Sequence, residues 1–382
     1  MSALPLFPVT TVGSWPRPAA LLRAQKLCRE GRIPNEEFQR LADDAVRHAV
    51  QRQEEAGADI VTDGEQRRDN FVSFVATRLD GTRLMTLLEM LDIIEDKAGF
   101  ERLLQTLDVP AYSISNATCT GRISRRQSLA ADDARFLQSV TQKPIKVALP
   151  GPYILTRSMW VREASGEAYP SKEELGADVV RVLREEIAEL LQMGVDFIQF
   201  DEPVLTELVF TQGQTRTFMC AALSSRKDPA AELDFAVQLL RRVVQGFSGT
   251  RFGLHVCRGN WSRDESTLLR GSYDALAATL NQMPVQQLVL EYSTDRAGDL
   301  MRFEAPELGL GVANPRSDEV ESADEIARRV ERALRFYPAE AIFLNPDCGF
   351  CTFANRPMAH DDVAAAKLGA IAEAARKLRG ER

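Results

Sequence analysis

The stretch GLHVCRGNW places His255 two residues before Cys257, in a chain that has three histidines altogether. If the apolar run in front of them is a β-strand, both side chains project to one side, roughly 6.5 Å apart along the chain. They can then reach one ion. A second cysteine, Cys348, stands in NPDCGF, and Glu291 follows the apolar run LVL. Thiolate, imidazole and carboxylate are the donors zinc takes in tetrahedral geometry, and a shell able to exchange one position is catalytic rather than structural. Singly, the cysteines read as small buried apolar residues, His255 as a satisfied polar residue and Glu291 as an ion-pair partner. As a set, His255, Cys257, Glu291 and Cys348 read as ligands of Zn2+. Exchanging the carboxylate for an incoming thiolate would leave the charge of the complex unchanged.

Four residues so far apart need a scaffold that gathers them. Eight short apolar runs recur along the chain: FPVTTVGS (7–14), ADIVTDGE (58–65), IKVALPGP (145–152), DFIQFDEP (196–203), RFGLHVC (251–257), QLVLEYS (287–293), LGLGVAN (308–314) and AIFLNPDC (341–348). Between them lie segments with apolar residues at helical spacing, among them 35–57, 171–194, 231–246 and 322–336. Gly57 and Gly194 stand where a helix would end before the next strand. Strand and helix alternating eight times predict an α/β fold, a (β/α)8 TIM barrel, as one unit over residues 1–382. The interval 71–145 is too long for one helix and is expected to be an insertion after the second strand. It carries a helical pattern, RLMTLLEMLDIIEDKAGFERLLQTL, and an alternating one, YSISNATCTGRIS (112–124), expected to be a hairpin. Chemistry in such barrels collects where strands run into their C-terminal loops. Those places hold Ser14, Glu65, Asp201, His255 with Cys257, Glu291, Asn314 and Cys348.

Composition limits the partners. A net charge of -8 over 382 residues disfavours nucleic acid, and short pairs such as Arg67-Arg68 and Arg125-Arg126 read as solvated surface. No apolar run nears the ~20 residues that span a bilayer. The opening MSALPLFPVTTVGSW has neither the charged nor the apolar region of a signal peptide, so the expected location is cytoplasmic. There the six cysteines (Cys28, Cys119, Cys220, Cys257, Cys348, Cys351) should be reduced. Cys351 makes CGFC with Cys348, but no thioredoxin-like unit surrounds it, and it receives no role.

TTVGSWPR, TDGEQRR, DEPVL, HVCRGNW, the glutamate of LVLEYS and NPDCGF together resemble the catalytic barrel of cobalamin-independent methionine synthase. The likeness covers nearly the whole chain in motif order and is similar to the short stand-alone, single-barrel form. It implies that His255, Cys257, Glu291 and Cys348 are the zinc ligands. It also implies that Gly13 and Ser14 hold the homocysteine carboxylate, while Glu65 and Asp201, the candidate catalytic pair, hold its amino group. An ammonium is well served by two carboxylates; otherwise Glu65 would pair with Arg67 or Arg68, and Asp201 would cap the next helix. The implied reaction is methylation of homocysteine to methionine, with methyl-tetrahydrofolate or a methyl-corrinoid, free or protein-bound, as donor. Where the long enzymes are expected to carry a histidine acid, Arg316 lies nearest, and arginine is a poor acid. Trp160 lies close to the place expected for a tryptophan over the pterin. Alternatives are a zinc alkyltransferase acting on another small thiol such as coenzyme M, and a non-catalytic zinc-binding protein.

Overall fold

The computed structural model describes residues 4–86, 89–90, 115–210 and 228–381. Six runs form parallel strands in chain order: β3 (Lys146–Pro150), β4 (Phe197–Asp201), β5 (Arg251–Val256), β6 (Gln287–Glu291), β7 (Glu307–Ala313) and β8 (Ile342–Pro346). All are buried almost throughout. That explains their unbroken apolar sequences, since a parallel strand covered on both faces has no solvent side to make polar.

The remaining two expected strands are present as single parallel bridges that close the ring. Val9 bridges Leu344, Thr10 bridges Ile60, and Val61 bridges Ile145. Pro8 offers a carbonyl to Leu344 N (2.8 Å) but has no N–H of its own, which limits the ladder there. The result is the expected eight-position α/β barrel.

Helices wrap the ring with their apolar faces inward. Lys172–Gln192 starts at Ser171, whose side chain accepts from Glu174 N, and it buries Leu175, Val179, Leu183, Ile187 and Leu190. Ala323–Ala333 opens with a capping box between Ser322 and Glu325. Asn35–Glu55 and Lys172–Gln192 are followed by Gly57 and Gly194 at φ of +93° and +72°, the left-handed turn that glycine makes without strain. Among the described residues no helix is long and apolar enough to cross a membrane.

The chain leaves the barrel between residues 61 and 145. Here the reading of the sequence needs correction. Arg83–Thr86, expected in a helix, belong to β1 (Leu79–Thr86), which pairs antiparallel with β2 (Ser115–Arg125). The alternating stretch is therefore not a hairpin on itself: from Ser115 onward it is one long strand whose partner lies upstream, Thr86 against Ser115 and Leu84 against Ala117. Pairing partners some thirty residues away override the local helical pattern. The register slips between Asp80 and Thr82, where Gly81 (φ +71°) lies so close to the Arg122 carbonyl that no Cβ fits. Of the rest of the helical pattern, Glu89 and Met90 are described and are helical; the remainder, and Cys220, fall outside the described residues.

Candidate active site

Adjacent strands set the framework. Asp201 at the end of β4 is in register with His255 on β5, and Cys257 follows one residue beyond β5. Cys348 arrives from β8, two residues past Pro346. One ring nitrogen of His255 and the two Sγ atoms all lie within 4.8 Å of one another, and all three residues are buried. His255 Nδ1 lies 3.1 Å from the Val289 carbonyl, which fixes the ring; Nε2 is buried without a hydrogen-bond partner. Imidazoles that ligate metals have this arrangement, one nitrogen anchored to a carbonyl and the other left for the ion.

The charges agree. Burial disfavours the His255 cation, yet the adjacent Cys257 sulfur and the charges of Asp201 and Glu291 outweigh burial and lift it to about 9. Cys257 is pulled below the ordinary thiol range, chiefly by its hydrogen bond with Cys348, while that same bond and burial hold Cys348 well above it. The cluster attracts positive charge. An orphaned imidazole nitrogen and two thiol sulfurs fit a zinc-type donor set.

Glu291, the fourth expected ligand, is not brought into that trio. Its Oε2 accepts from Arg258 N at 2.9 Å; its Oε1 accepts from Arg316 Nη1 at 3.2 Å and Arg296 Nη2 at 3.3 Å. Despite burial, Arg296, Arg316 and Arg258 hold its carboxyl below the usual range. Its charge still acts on both cysteines, so it stands just outside the trio.

The same cavity carries two other carboxylates. Ser14, Glu65 and Asp201 line the same cavity as His255, Cys257 and Cys348, with Phe71, Asn260, Thr352 and Phe353 completing it. Glu65 has φ +54°, a strained conformation for a residue with a side chain, and Arg17 fastens its carbonyl at 2.7 Å. Glu65 Oε2 is buried without a hydrogen-bond partner. Burial raises Glu65 to about 7 against the pull of Arg68 and Arg17. Asp201 is raised to about 6, again by burial, against His255 and the hydrogen bond from Gln199 (2.8 Å). Arg67 instead pairs with Asp43 and Asp133, and Arg68 donates to the Ala148 carbonyl (2.8 Å) while lying over the Phe74 ring. Two carboxylates aimed into one cavity, one with a free oxygen, suit a small cation such as an ammonium.

Gly13 stands behind Glu65 rather than on the wall, and a Cβ there would overlap Glu65 Oε1. Gly349 has the same relation to Ser14 Oγ. Arg316 is enclosed by Glu291, Asp347 (3.4 Å), Glu265 (3.2 Å) and Asn260 (3.2 Å), so it cannot act as an acid. Trp160 donates to the Tyr169 carbonyl at 3.0 Å and is packed in the core away from the cavity. Cys351 lies against the Phe353 carbonyl and outside the trio. Asn314 reaches Glu265 at 2.7 Å rather than the cavity.

Several residues of the site received no role in the sequence reading, although Arg17 and Asn260 lie within its motifs. Asn260 donates to the Gly349 carbonyl (2.8 Å) and Thr352 Oγ1 (2.7 Å), tying two loops together. Arg17 fixes the backbone carbonyl of Glu65, Gln199 donates to the Asp201 carboxylate, and Arg296 comes from a short turn that nothing marks.

Glu65 makes the cost of this arrangement measurable. Its carboxyl rises from 4.5 to about 7 on folding, so the ionised form destabilises the folded state above pH 7 and is neutral in both states below about 4.5. Glu65→Gln should therefore be more stable than the parent at pH 8, by about 1–3 kcal/mol. The gain should vanish near pH 4. Denaturant titrations at the two pH values check this; equal stability at pH 8 would contradict it.

Comparison with known proteins follows the same line. The chain is 29% identical over 350 residues to a methionine synthase of Thermococcus kodakarensis, covering 91% of this chain and 87% of that protein. It is also 29% identical over 353 residues to a methionine synthase of Saccharolobus solfataricus, covering 91% and 90%. Among solved structures, a B12-independent methionine synthase from Shewanella sp. W3-18-1, in complex with selenomethionine, shares its fold. The TM-score is 0.70 at 24% identity, over 98% of each chain. The family model described as the cobalamin-independent synthase catalytic domain matches residues 7–377, and the chain belongs to that family.

Proposed function

We propose that the protein is a zinc-dependent methyltransferase that methylates the sulfur of homocysteine to give methionine. The observation that carries this is the single cavity lined together by His255, Cys257 and Cys348 and by Glu65 and Asp201. The methionine synthases among its relatives support the same substrate. His255, Cys257 and Cys348 would hold the ion, with Glu291 as the displaceable fourth ligand. Bound there, zinc supplies the charge that lets a thiol, ordinarily protonated below about pH 8.5, react as thiolate at neutral pH.

The chain's own groups do the rest. Glu65 and Asp201 take the ammonium, and their raised proton affinity falls once that cation is bound. Ser14 Oγ, which accepts from Cys351 N at 3.3 Å, keeps its hydroxyl proton to donate to the carboxylate. Gly13 leaves room for Glu65 to approach. Fixing both ends of the amino acid presents its sulfur to the donor's methyl group in one orientation. The methyl carbon forms its bond to sulfur as its bond to the donor breaks, and the thiol proton is lost to solvent.

The donor is a methyl-folate or a methyl-corrinoid. A folate nitrogen leaves readily only when protonated, and the buried, ion-paired Arg316 provides no proton. That favours the corrinoid. A sulfonate thiol such as coenzyme M would meet repulsion from Glu65 and Asp201. We propose, too, that residues 1–382 act as one catalytic barrel with an insertion at about 71–145.

The test is methionine formation from homocysteine by zinc-loaded protein, with methylcobalamin and methyl-tetrahydrofolate in parallel. Turnover with neither donor would refute the proposal. Gly13→Ala should raise KM for homocysteine about tenfold or more, because the new methyl displaces Glu65. An unchanged KM would remove Gly13 and Glu65 from the binding site.

A further inference from the structure

The three arginines around Glu291 exceed what a buried carboxylate needs for neutrality. Arg258 contributes a backbone N–H and a more distant guanidinium (3.7 Å), and Arg296 reaches both carboxylate oxygens. Arg316 is different. Its Nη1 lies 3.2 Å from both Glu291 Oε1 and Asn260 Oδ1, and Asn260 is on the cavity wall. Its other nitrogens are taken by Asp347 and Glu265. Arg316 would therefore remain compensated if Glu291 turned from it toward the trio, and Glu291 remains compensated when it turns back. A buried ion pair that can lose one partner without stranding a charge can exist in two arrangements.

We propose that Arg316 is a positioning residue that receives the Glu291 carboxylate when a substrate thiolate enters the zinc shell, and so sets how readily the shell exchanges oxygen for sulfur. This rests on the reading of His255, Cys257 and Cys348 as zinc ligands. Arg316 and the ion compete for the same carboxylate oxygen. Removing the arginine leaves Glu291 to the ion, which binds zinc more tightly and resists the incoming thiol.

The full-length protein provides the test, as Arg316→Gln, Arg316→Lys, Glu291→Gln and the Arg316→Gln/Glu291→Gln double variant. Zinc affinity is read by competition with a chromophoric chelator, and homocysteine entry by the sulfur-to-metal charge-transfer band of the cobalt(II)-substituted protein. Arg316→Gln should bind zinc about tenfold more tightly and homocysteine about tenfold more weakly. Arg316→Lys should recover part of both, and in the Glu291→Gln background the Arg316→Gln change should have no further effect. Unchanged affinities in Arg316→Gln, or equal effects with and without Glu291, would overturn the proposal. If Arg316→Gln does not fold, Arg316→Lys decides by the same two readouts: no change in either overturns it. Failure of the parent protein to bind zinc is a separate result that removes the underlying reading as well.

Discussion

Cys348→Ser should yield a folded protein without stoichiometric zinc, with methionine formation reduced on the order of 10³-fold or more. A serine hydroxyl does not ionise under conditions where a metal-bound thiol does, so the trio loses one of its two anionic donors. The loss cannot be made good locally. Cys351, three residues on, is engaged with the Phe353 and Ala354 carbonyls and lies outside the group of donor atoms. Cys351→Ser is therefore the matched control, expected to keep metal and activity. Metal analysis of both variants, with turnover measured on the same samples, distinguishes the outcomes. Retention of full zinc and turnover in Cys348→Ser, or equal loss in the two variants, would remove Cys348 from the centre.

Asp201→Asn should weaken homocysteine capture about a hundredfold or more, because a buried ammonium loses one of its two counter-charges. The effect should fall on kcat/KM, with zinc content unchanged. Its pH dependence carries the sharper signature. Asp201 and Glu65 are raised by burial to about 6 and about 7, so both gain protons as the pH falls through neutrality and ammonium binding declines on the acid side. The parent's acid limb should approach a two-proton slope. Asp201→Asn should leave one proton, and should shift the limb to lower pH, since the Asp201 charge contributes to the elevation of Glu65. An acid limb of unchanged slope and position would show that these carboxylates do not hold the substrate.

What the sequence makes legible depends on whether local rules or distant partners decide. His255 and Cys257 could be placed together because strand alternation acts over two residues, and the barrel brought Cys348 to them because strand ends share one face. The first two barrel positions were recognisable as apolar runs, but their reduction to single bridges was not, since it depends on partners at Leu344 and Ile145. Arg83–Thr86 followed a helical pattern and formed a strand because Ser115–Ala117 pair with it. The place of Glu291 was the hardest to see. Its neighbours Arg296 and Arg316 lie five and twenty-five residues away on irregular loops, and no periodicity connects an arginine on a loop to the carboxylate it holds. Trp160 shows the converse, nearness in the chain to an expected position without nearness in space.

The register of Asp201 against His255 has a consequence for selectivity. Backbone hydrogen bonds between neighbouring strands fix that interval at about 4.8 Å, and no side-chain rearrangement can stretch it much. On the proposed reading the sheet is a ruler: one mark holds the charged nitrogen of the acceptor, the next the metal that takes its sulfur. An amino acid whose carbon chain is one methylene shorter, such as cysteine, must then come away from one mark to reach the other.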